Sequence, residues 1–428
     1  SVLNEPTEGE LTVYTAATLS NSPYTATSTQ LADGEEGNPI PRKVGDVSPI
    51  KHVFYIIKEN RTYDQVLGDM PAGNGDSTLC LFPEKITPNQ HALAGGFVLL
   101  DNFYVNAEVS ADGHNWSTAA YATDFVEKTW PTNYSRRGGE YDFEGGRKSA
   151  FPRDGFIWDY ASRAGVSYRS YGEFVWNGRS GLESLQGHFD TDYPSYNLSV
   201  PDQVRFEHWK QDFDSLLALD AVPQLNTIRL PNDHTAGARA GSPTPRAMVA
   251  EHDQSLGRMI EHLSKSKIWK ESVVFILEDD AQNGPDHVDA HRSIAYVAGP
   301  YVKRKAHINR MYSTASMLRT IELILGLPPM SQYDAGSTPM WECFTATPDF
   351  SPYAAIAARY NLNEKNKDKT ALARQTATFN LVQIDAAPDR EFNEVIWKTV
   401  HGEHSAMPSP VRSAFIKPIP ETEDGDDD

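Results

Sequence analysis

Two short apolar runs, each ending on acidic and amide side chains, constrain the fold of this 428-residue chain more than any other feature. The runs span residues 52–57 and 272–277 and are rich in β-branched and aromatic residues. Such runs predict strands buried on both faces, as in a parallel sheet covered by helices. In open sheets of this kind, ligands bind beyond the carboxyl ends of the strands. The side chains expected at that edge are Glu59, Asn60, Asp279 and Asp280.

The acidic character of this predicted edge indicates a bound cation. Three carboxylates cannot lie together in ionised form without compensating positive charge. A divalent metal ion with oxygen ligands is the simplest compensation, and the sequence does not distinguish Zn, Mn, Mg, Ca or Fe. The alternative is that Glu59 or Asn60 only caps a helix or turn.

Alternation of strand and helix patterns predicts an α/β fold, an α/β/α sandwich with a mostly parallel central sheet. Further strands are expected at 97–100, 166–171, 225–230 and 294–298, and helices at 87–95, 116–127, 157–164, 256–267 and 317–325. Composition divides the chain into an extended leader or linker (1–50), a main domain (51–400) and an acidic C-terminal tail (401–428).

Net charge narrows the classes of partner. A formal charge of −19 argues against nucleic-acid binding, although bound cations would still permit a phosphate-ester substrate. No stretch reaches the roughly 20 apolar residues of a membrane span. Two cysteines exclude a disulfide scaffold and leave open whether Cys80 and Cys343 are bridged.

Histidines and acids cluster after two further strands. Asp233 and His234 follow the 225–230 run, and His287 and His291 lie a few residues beyond Asp280. Nitrogen and oxygen donors at one sheet edge predict a mixed metal site, although a single histidine is more often an ordinary surface or core residue.

The segment 109–116 contains candidate nucleophiles before a predicted helix. Ser110 at a helix N-terminus would gain from the dipole and from free amides that also receive phosphate. Asp112 and His114 are the other candidates. An ordinary N-cap would also explain Ser110 or Asp112.

The opening segment 52–64, with Glu59-Asn60-Arg61-Thr62-Tyr63-Asp64, resembles the phosphoesterase family, which includes bacterial phospholipases C and acid phosphatases. The resemblance continues through 87–89, 101–104, 269–280 and 286–288, and covers about residues 50–345. It implies an alkaline phosphatase-like fold. The chain is most similar to the domain that follows YVTN-type β-propellers in bacterial surface or periplasmic proteins. Residues 1–50 would then be the link from a propeller, and the protein would be periplasmic or secreted.

The resemblance also implies roles for individual residues. Glu59, Asn60, Asp279 and Asp280 would bind the first metal, while His234, His287, Asp233 and His291 would face the substrate or a second metal. The nucleophile departs from the family pattern, because the family spacing from Asn115 falls on Asp112 and another alignment selects His114. Ser110 is the expected nucleophile, since a small bulge would restore the geometry.

The predicted function is metal-dependent hydrolysis of phosphate monoesters. A phosphodiesterase or phospholipase C is the alternative within enzymes, and it would need a more open or apolar pocket. A non-catalytic, metal-containing surface binding protein is the alternative of another class.

Overall fold

The computed structural model describes residues 6–21, 31, 32, 34, 36–135, 137–382 and 386–412. The helices are α1 (Glu8–Asn21), α2 (Tyr63–Leu67), α3 (Pro88–Gly96), α4 (Ser110–Ala119), α5 (Asp124–Tyr134), α6 (Ile157–Ala164), α7 (Asp202–Ala218), α8 (Pro245–Ser264), α9 (Thr314–Leu325), α10 (Gln332–Gly336), α11 (Ala371–Thr376) and α12 (Asp389–His401). The strands are β1 (His52–Lys58), β2 (Val98–Leu100), β3 (Phe103–Tyr104), β4 (Tyr168–Tyr171), β5 (Leu225–Leu230), β6 (Ser272–Glu278), β7 (Ala295–Ala298), β8 (Ala306–Ile308) and β9 (Tyr312–Ser313).

The central sheet has the strand order β4-β5-β1-β6-β7, and only β7 runs antiparallel to its neighbour. Strand β1 lies in the middle, and its last residue, Lys58, pairs with Leu230 of β5 and Glu278 of β6. The carboxyl ends of these three strands are therefore level. The predicted mostly parallel sheet is confirmed, and the residues that follow the three strands share one edge.

Helices cover both faces of this sheet. Phe54 of β1 packs on Trp209 of α7, with ring centroids 6.4 Å apart. The next residue, Tyr55, pairs in register with Thr227 of β5, whose hydroxyl accepts a hydrogen bond from Trp158 of α6 at 3.1 Å. Successive strand residues point to opposite faces, so α7 and α6 lie on opposite sides of the sheet. The predicted α/β/α sandwich is confirmed.

One predicted helix is wrong. In place of a helix over 116–127, α4 ends at Ala119 and α5 begins at Asp124. Ala120 adopts a left-handed conformation (φ 60°), which ends α4, and the Thr123 hydroxyl caps α5 by accepting a hydrogen bond from Val126 N. The break places Ser110 at the start of a ten-residue helix.

The ends of the chain differ from the expectation of a featureless leader. Helix α1 occupies part of the predicted extended leader, and Ile40 and Ile50 are buried in the core. The acidic run 421–428 lies outside the described residues. Cys80 and Cys343 are both buried and unbridged. None of the helices in the described part of the chain has the length and apolar character needed to cross a bilayer.

Candidate active site at the carboxyl edge of the sheet

Ser110, Asn60 and Asp280 form a closed set of hydrogen bonds at the sheet edge. The Ser110 hydroxyl donates to Asp280 Oδ2 at 2.8 Å. Asn60 Nδ2 donates to the same carboxylate oxygen at 2.7 Å and to Ser110 Oγ at 2.9 Å. All three side chains are fully buried. The first residue of α4 is thus joined directly to the ends of β1 and β6.

The backbone after β1 is unusual for a residue with a side chain. Asn60 has φ 99°, in the left-handed half of conformational space where non-glycine residues are uncommon. Its N–H donates to Glu278 Oε2 at 3.1 Å, which holds this conformation in place. Such strain costs roughly 1–3 kcal/mol and is found mainly at functional sites. Here it turns the Asn60 amide toward Ser110.

Glycine at position 113 lets α4 approach the end of β6. A Cβ atom at Gly113 would lie 2.9 Å from the carbonyl carbon and oxygen of Asp279 and 3.1 Å from its Oδ2. Real Cβ atoms do not come this close to backbone atoms. The distance between α4 and the acidic pair Asp279-Asp280 therefore depends on the absence of a side chain at Gly113.

A second group of charged side chains surrounds His114, one helical turn beyond Ser110. His114 Nε2 lies 3.3 Å from Glu59 Oε1 and 3.4 Å from Asp279 Oδ2. Arg229, at the end of β5, donates from Nε to Glu59 Oε1 at 2.8 Å and approaches His114 Nε2 at 2.7 Å. Side chains at the carboxyl ends of β1, β5 and β6 thus meet around the imidazole of His114.

Three residues of this group were not singled out from the sequence: Arg229, Glu173 and Glu144. Glu173 Oε1 lies 2.8 Å from His114 Nδ1, and Glu144 receives Arg229 Nη1 at 2.5 Å. Glu173 is the second residue after β4. A search for acidic residues directly after buried strands would therefore have found it. Glu144 lies in a loop and carried no such signal.

The neighbours of His114 have opposing effects on its protonation. A guanidinium only donates, so the contact with Arg229 requires an unprotonated Nε2 and a Nδ1–H that donates to Glu173. Burial and Arg229 lower the pKa of His114, but Glu144, Glu173 and Asp279 outweigh them and raise it well above the usual value. His114 can therefore gain a proton at Nε2 when the Arg229 contact opens.

Asp233 is held by a lysine. Its Oδ2 lies 2.9 Å from Lys58 Nζ, and its Oδ1 accepts from Glu59 N at 3.2 Å. Lys58 also pairs with Glu278 at 2.6 Å. Burial raises the pKa of Asp233, but His252 and Lys58 lower it more, so the carboxylate is charged. These contacts hold Asp233 against the backbone of Glu59. The negative charge of Asp233 is balanced by Lys58.

Asp112 caps the helix on which it lies. Its two oxygens accept hydrogen bonds from Glu108 N and Val109 N, each at 3.0 Å. The amide of Ala111 donates to the Tyr134 hydroxyl at 3.1 Å, so one of the first-turn amides expected to receive phosphate already has a partner. Asp112 thus caps α4 from the third helical position, with Val109 as the N-cap residue, whereas Ser110 faces Asp280.

The remaining predicted ligands lie in separate surroundings. His234 Nδ1 is 2.9 Å from Thr235 O, and its ring packs on Phe392. His287 pairs with Asp64 at 2.6 Å, and His291 bridges Asp289 and Glu108. In the described residues, no hydrogen bond or ion pair joins His287 or His291 to Glu59, Asn60, Asp279 or Asp280. The expected gathering of these two histidines with the strand-end acids is therefore not observed in this structure.

The donor set fits a divalent cation. Glu59 Oε2 and Asn60 Oδ1 are buried oxygens without a hydrogen-bond partner within the described part of the chain. Buried acceptors of this kind are costly unless something satisfies them. Carboxylate and amide oxygens are the ligands that hard cations prefer. His114, Glu144 and Glu173 also bring one donor atom each within 4.8 Å of one another.

Comparison with known proteins identifies a family that matches this chain. Residues 72–328 match the model of the phosphoesterase family. No curated protein sequence gave a significant match. Similar solved structures include a protein of the alkaline phosphatase superfamily from Vibrio parahaemolyticus (16% identity, TM-score 0.47, covering 73% of this chain and 75% of that one). Others are the human ectonucleotide pyrophosphatase/phosphodiesterase 5 (12%, 0.41, 65% and 96%) and a lipoteichoic acid synthase from Listeria monocytogenes (12%, 0.47, 90% and 98%).

At these identities and TM-scores, the similar structures carry no information about the site. The family match is different, because it covers more than half of the chain and includes both Ser110 and the Asp279-Asp280 pair. It confirms the resemblance to this family, and its range begins after the segment 52–64. This chain therefore belongs to the phosphoesterase family, and its reaction is the hydrolysis of a phosphate ester.

Proposed function

We propose that the protein is a metal-dependent phosphomonoesterase with Ser110 as its nucleophile. The observation that carries the proposal is the hydrogen bond from Ser110 Oγ to Asp280 Oδ2 at the first residue of α4. A hydroxyl held against a carboxylate at a helix N-terminus is the arrangement expected of an activated nucleophile. Its place beside the acidic strand ends makes Ser110 a better candidate than Asp112.

The cation would be held by Glu59, Asn60, Asp279 and Asp280, whose oxygens come together after β1 and β6. When bound, such an ion supplies Lewis-acid polarisation of the phosphoryl oxygens. It would also add positive charge beside the carboxylates of Glu59, Asp279 and Asp280. His114, Glu173 and Glu144 would border this ion.

Side chains of the protein carry out nucleophilic attack and the proton transfers of the reaction. Ser110 Oγ forms the bond to phosphorus, and its proton passes to Asp280, which already accepts the hydrogen bond. His114, positioned by Glu173, gains a proton at Nε2 when the Arg229 contact opens and gives this Nε2 proton to the departing alkoxide. A water molecule then attacks the phosphoserine, returns a proton to His114 and releases phosphate, while Ser110 recovers its own proton. Arg229 supplies positive charge beside the reacting group.

A phosphodiesterase is the second candidate, and one observation favours it. A cavity of about 560 Å³ with an aromatic wall adjoins Arg229 and Glu144, and the second ester group of a diester needs such space. The same cavity would take the alcohol group of a monoester. Rates on p-nitrophenyl phosphate and bis-p-nitrophenyl phosphate, measured with and without a chelator, separate these two candidates. They also separate both from a non-catalytic binding protein.

The nucleophile is tested by substitution and by trapping. Ser110→Ala is expected to abolish turnover and leave metal content unchanged, because the hydroxyl is lost while the oxygen ligands remain. The matched control is Ser117→Ala, which removes another fully buried serine hydroxyl from the same helix and should retain activity. Quenching during turnover should give phosphate on the peptide that contains Ser110. A label on His114, or full activity in Ser110→Ala, would refute the assignment.

A further inference from the structure

A cavity with aromatic walls lies beside the group of charges around His114. It has a volume of about 560 Å³, within the range of small-molecule sites. Tyr141, Phe174, Val175 and Trp176 form its apolar wall. The cavity thus offers flat apolar surface to a ligand.

The charged floor of this cavity is shared with the active site. Arg229 and Glu144 line the cavity, and they are joined to each other at 2.5 Å. Arg229 is also joined to Glu59 and approaches His114 at 2.7 Å. His114 lies one helical turn from Ser110, so their Cβ atoms are about 6 Å apart. A ligand in the cavity is therefore separated from the nucleophile by about one side chain.

The wall combines a fixed part with an open edge. Phe174 is 2% exposed and packs on Phe156 and Trp158, with ring centroids 4.7 and 5.4 Å apart. It directly follows Glu173, the partner of His114, and has φ 53°. Trp176 is 49% exposed and has no comparable ring contact in the described residues. Bound ligand would cover Trp176, whereas Phe174 is already in place.

We propose that this cavity binds the alcohol portion of the substrate and that it selects esters of aromatic alcohols. The inference rests on the proposed function and deepens it. Ser110 is fully buried, so the group esterified to phosphate has to occupy space near the reacting atoms. The cavity provides that space with three aromatic side chains, which pack favourably on a planar ring. Trp176 is the specificity-determining residue for this group.

The test compares Trp176→Ala with the unaltered protein on phenyl phosphate and glycerol 2-phosphate, following phosphate release. Loss of one aromatic contact should lower kcat/KM for phenyl phosphate roughly 2- to 12-fold. The value for glycerol 2-phosphate should stay within two-fold, which also shows that the variant folds. Equal changes on both esters, or none on either, would overturn the proposal. Phe350→Ala is the control, since it removes a similarly exposed aromatic side chain (52%) that does not line the cavity.

Binding without turnover separates this inference from the proposed function. Affinities for phenylphosphonate and methylphosphonate are measured by calorimetry in both proteins. If the unaltered protein hydrolyses neither ester, the proposed function fails. The cavity assignment still stands if Trp176→Ala weakens phenylphosphonate by the same 2- to 12-fold and leaves methylphosphonate unchanged. Equal affinity of the two proteins for phenylphosphonate refutes it.

Discussion

Gly113→Ala should slow catalysis while leaving the protein folded. The added methyl group would lie 2.9 Å from the Asp279 carbonyl and 3.1 Å from its Oδ2, whereas ordinary contact needs 3.4 Å or more. Helix α4 would have to move by about half an ångström. That movement separates Ser110 and His114 from the acids at the end of β6.

The magnitudes follow from two opposing effects. Alanine in a helix interior is favoured over glycine by about 1 kcal/mol, whereas overpacking costs about 1–3 kcal/mol. The free energy of unfolding should therefore fall by no more than roughly 2 kcal/mol. Because a displacement of about 1 Å can cost 100-fold in rate, half that displacement should lower kcat by about ten-fold.

The assay is kcat on phenyl phosphate beside thermal unfolding of the same samples. Gly95→Ala is the control, since its Cβ would meet only the end of the Met70 side chain at 3.9 Å. It should gain about 1 kcal/mol of stability and keep its activity. If Gly113→Ala behaved like Gly95→Ala in both measurements, the close approach of α4 to Asp279 would not matter for the reaction.

Three further predictions concern charge. Asp279→Asn should lower metal content and turnover together, as measured by elemental analysis and ester hydrolysis; full metal with full activity would show that the ion is bound elsewhere. Chelation should lower the Tm by roughly 5–10 °C, because uncompensated carboxylates repel and a bound ligand no longer stabilises the fold. An unchanged melting curve after confirmed metal loss would contradict a shared buried site. Burial raises the pKa of Asp112 from 3.8 to about 7, so the folded protein keeps a proton that the unfolded chain has lost. Stability from this residue is present below about pH 4 and is lost as the pH rises to 7. Between pH 5 and 8 the free energy of unfolding should therefore fall less in Asp112→Asn, by roughly 2–3 kcal/mol. Parallel pH profiles for the two proteins would count against a buried, protonated Asp112.

The sheet and its acidic edge could be predicted from the sequence because both follow from local patterns. The runs at 52–57 and 272–277 are almost entirely apolar, the run at 225–230 mixes apolar and polar residues, and all three are strands of the central sheet. Once these strands are parallel neighbours, the residues after them must meet. The proximity of Asn60 and Asp280 therefore required no knowledge of the loops.

The parts that could not be predicted depend on contacts between distant elements. Arg229 looks like a polar interruption in an apolar strand until β5 is placed beside Glu59. From the sequence, Asp112 and Ser110 are equally good candidates for capping the helix. Only the position at which α4 begins shows that Asp112 does so. The sequence did not indicate that α4 ends at Ala120 in a left-handed conformation, because alanine is the strongest helix former. His287 and His291 are close to Asp280 in sequence, yet their loop pairs them with other acids.

The order of the strands also sets when the site can exist during synthesis. Both neighbours of β1 come much later in the chain, since Val53 pairs with Leu225 and His52 with Ser272. At roughly 5–20 residues per second, the ribosome needs on the order of 10–30 s to make the first partner. During that interval an apolar segment with unpaired backbone groups has no sheet to join, which makes the nascent chain prone to aggregation and a natural client for chaperones. The same delay keeps Asn60 and Ser110 from meeting Asp280 until β6 has emerged, so their hydrogen-bonded set forms late in synthesis.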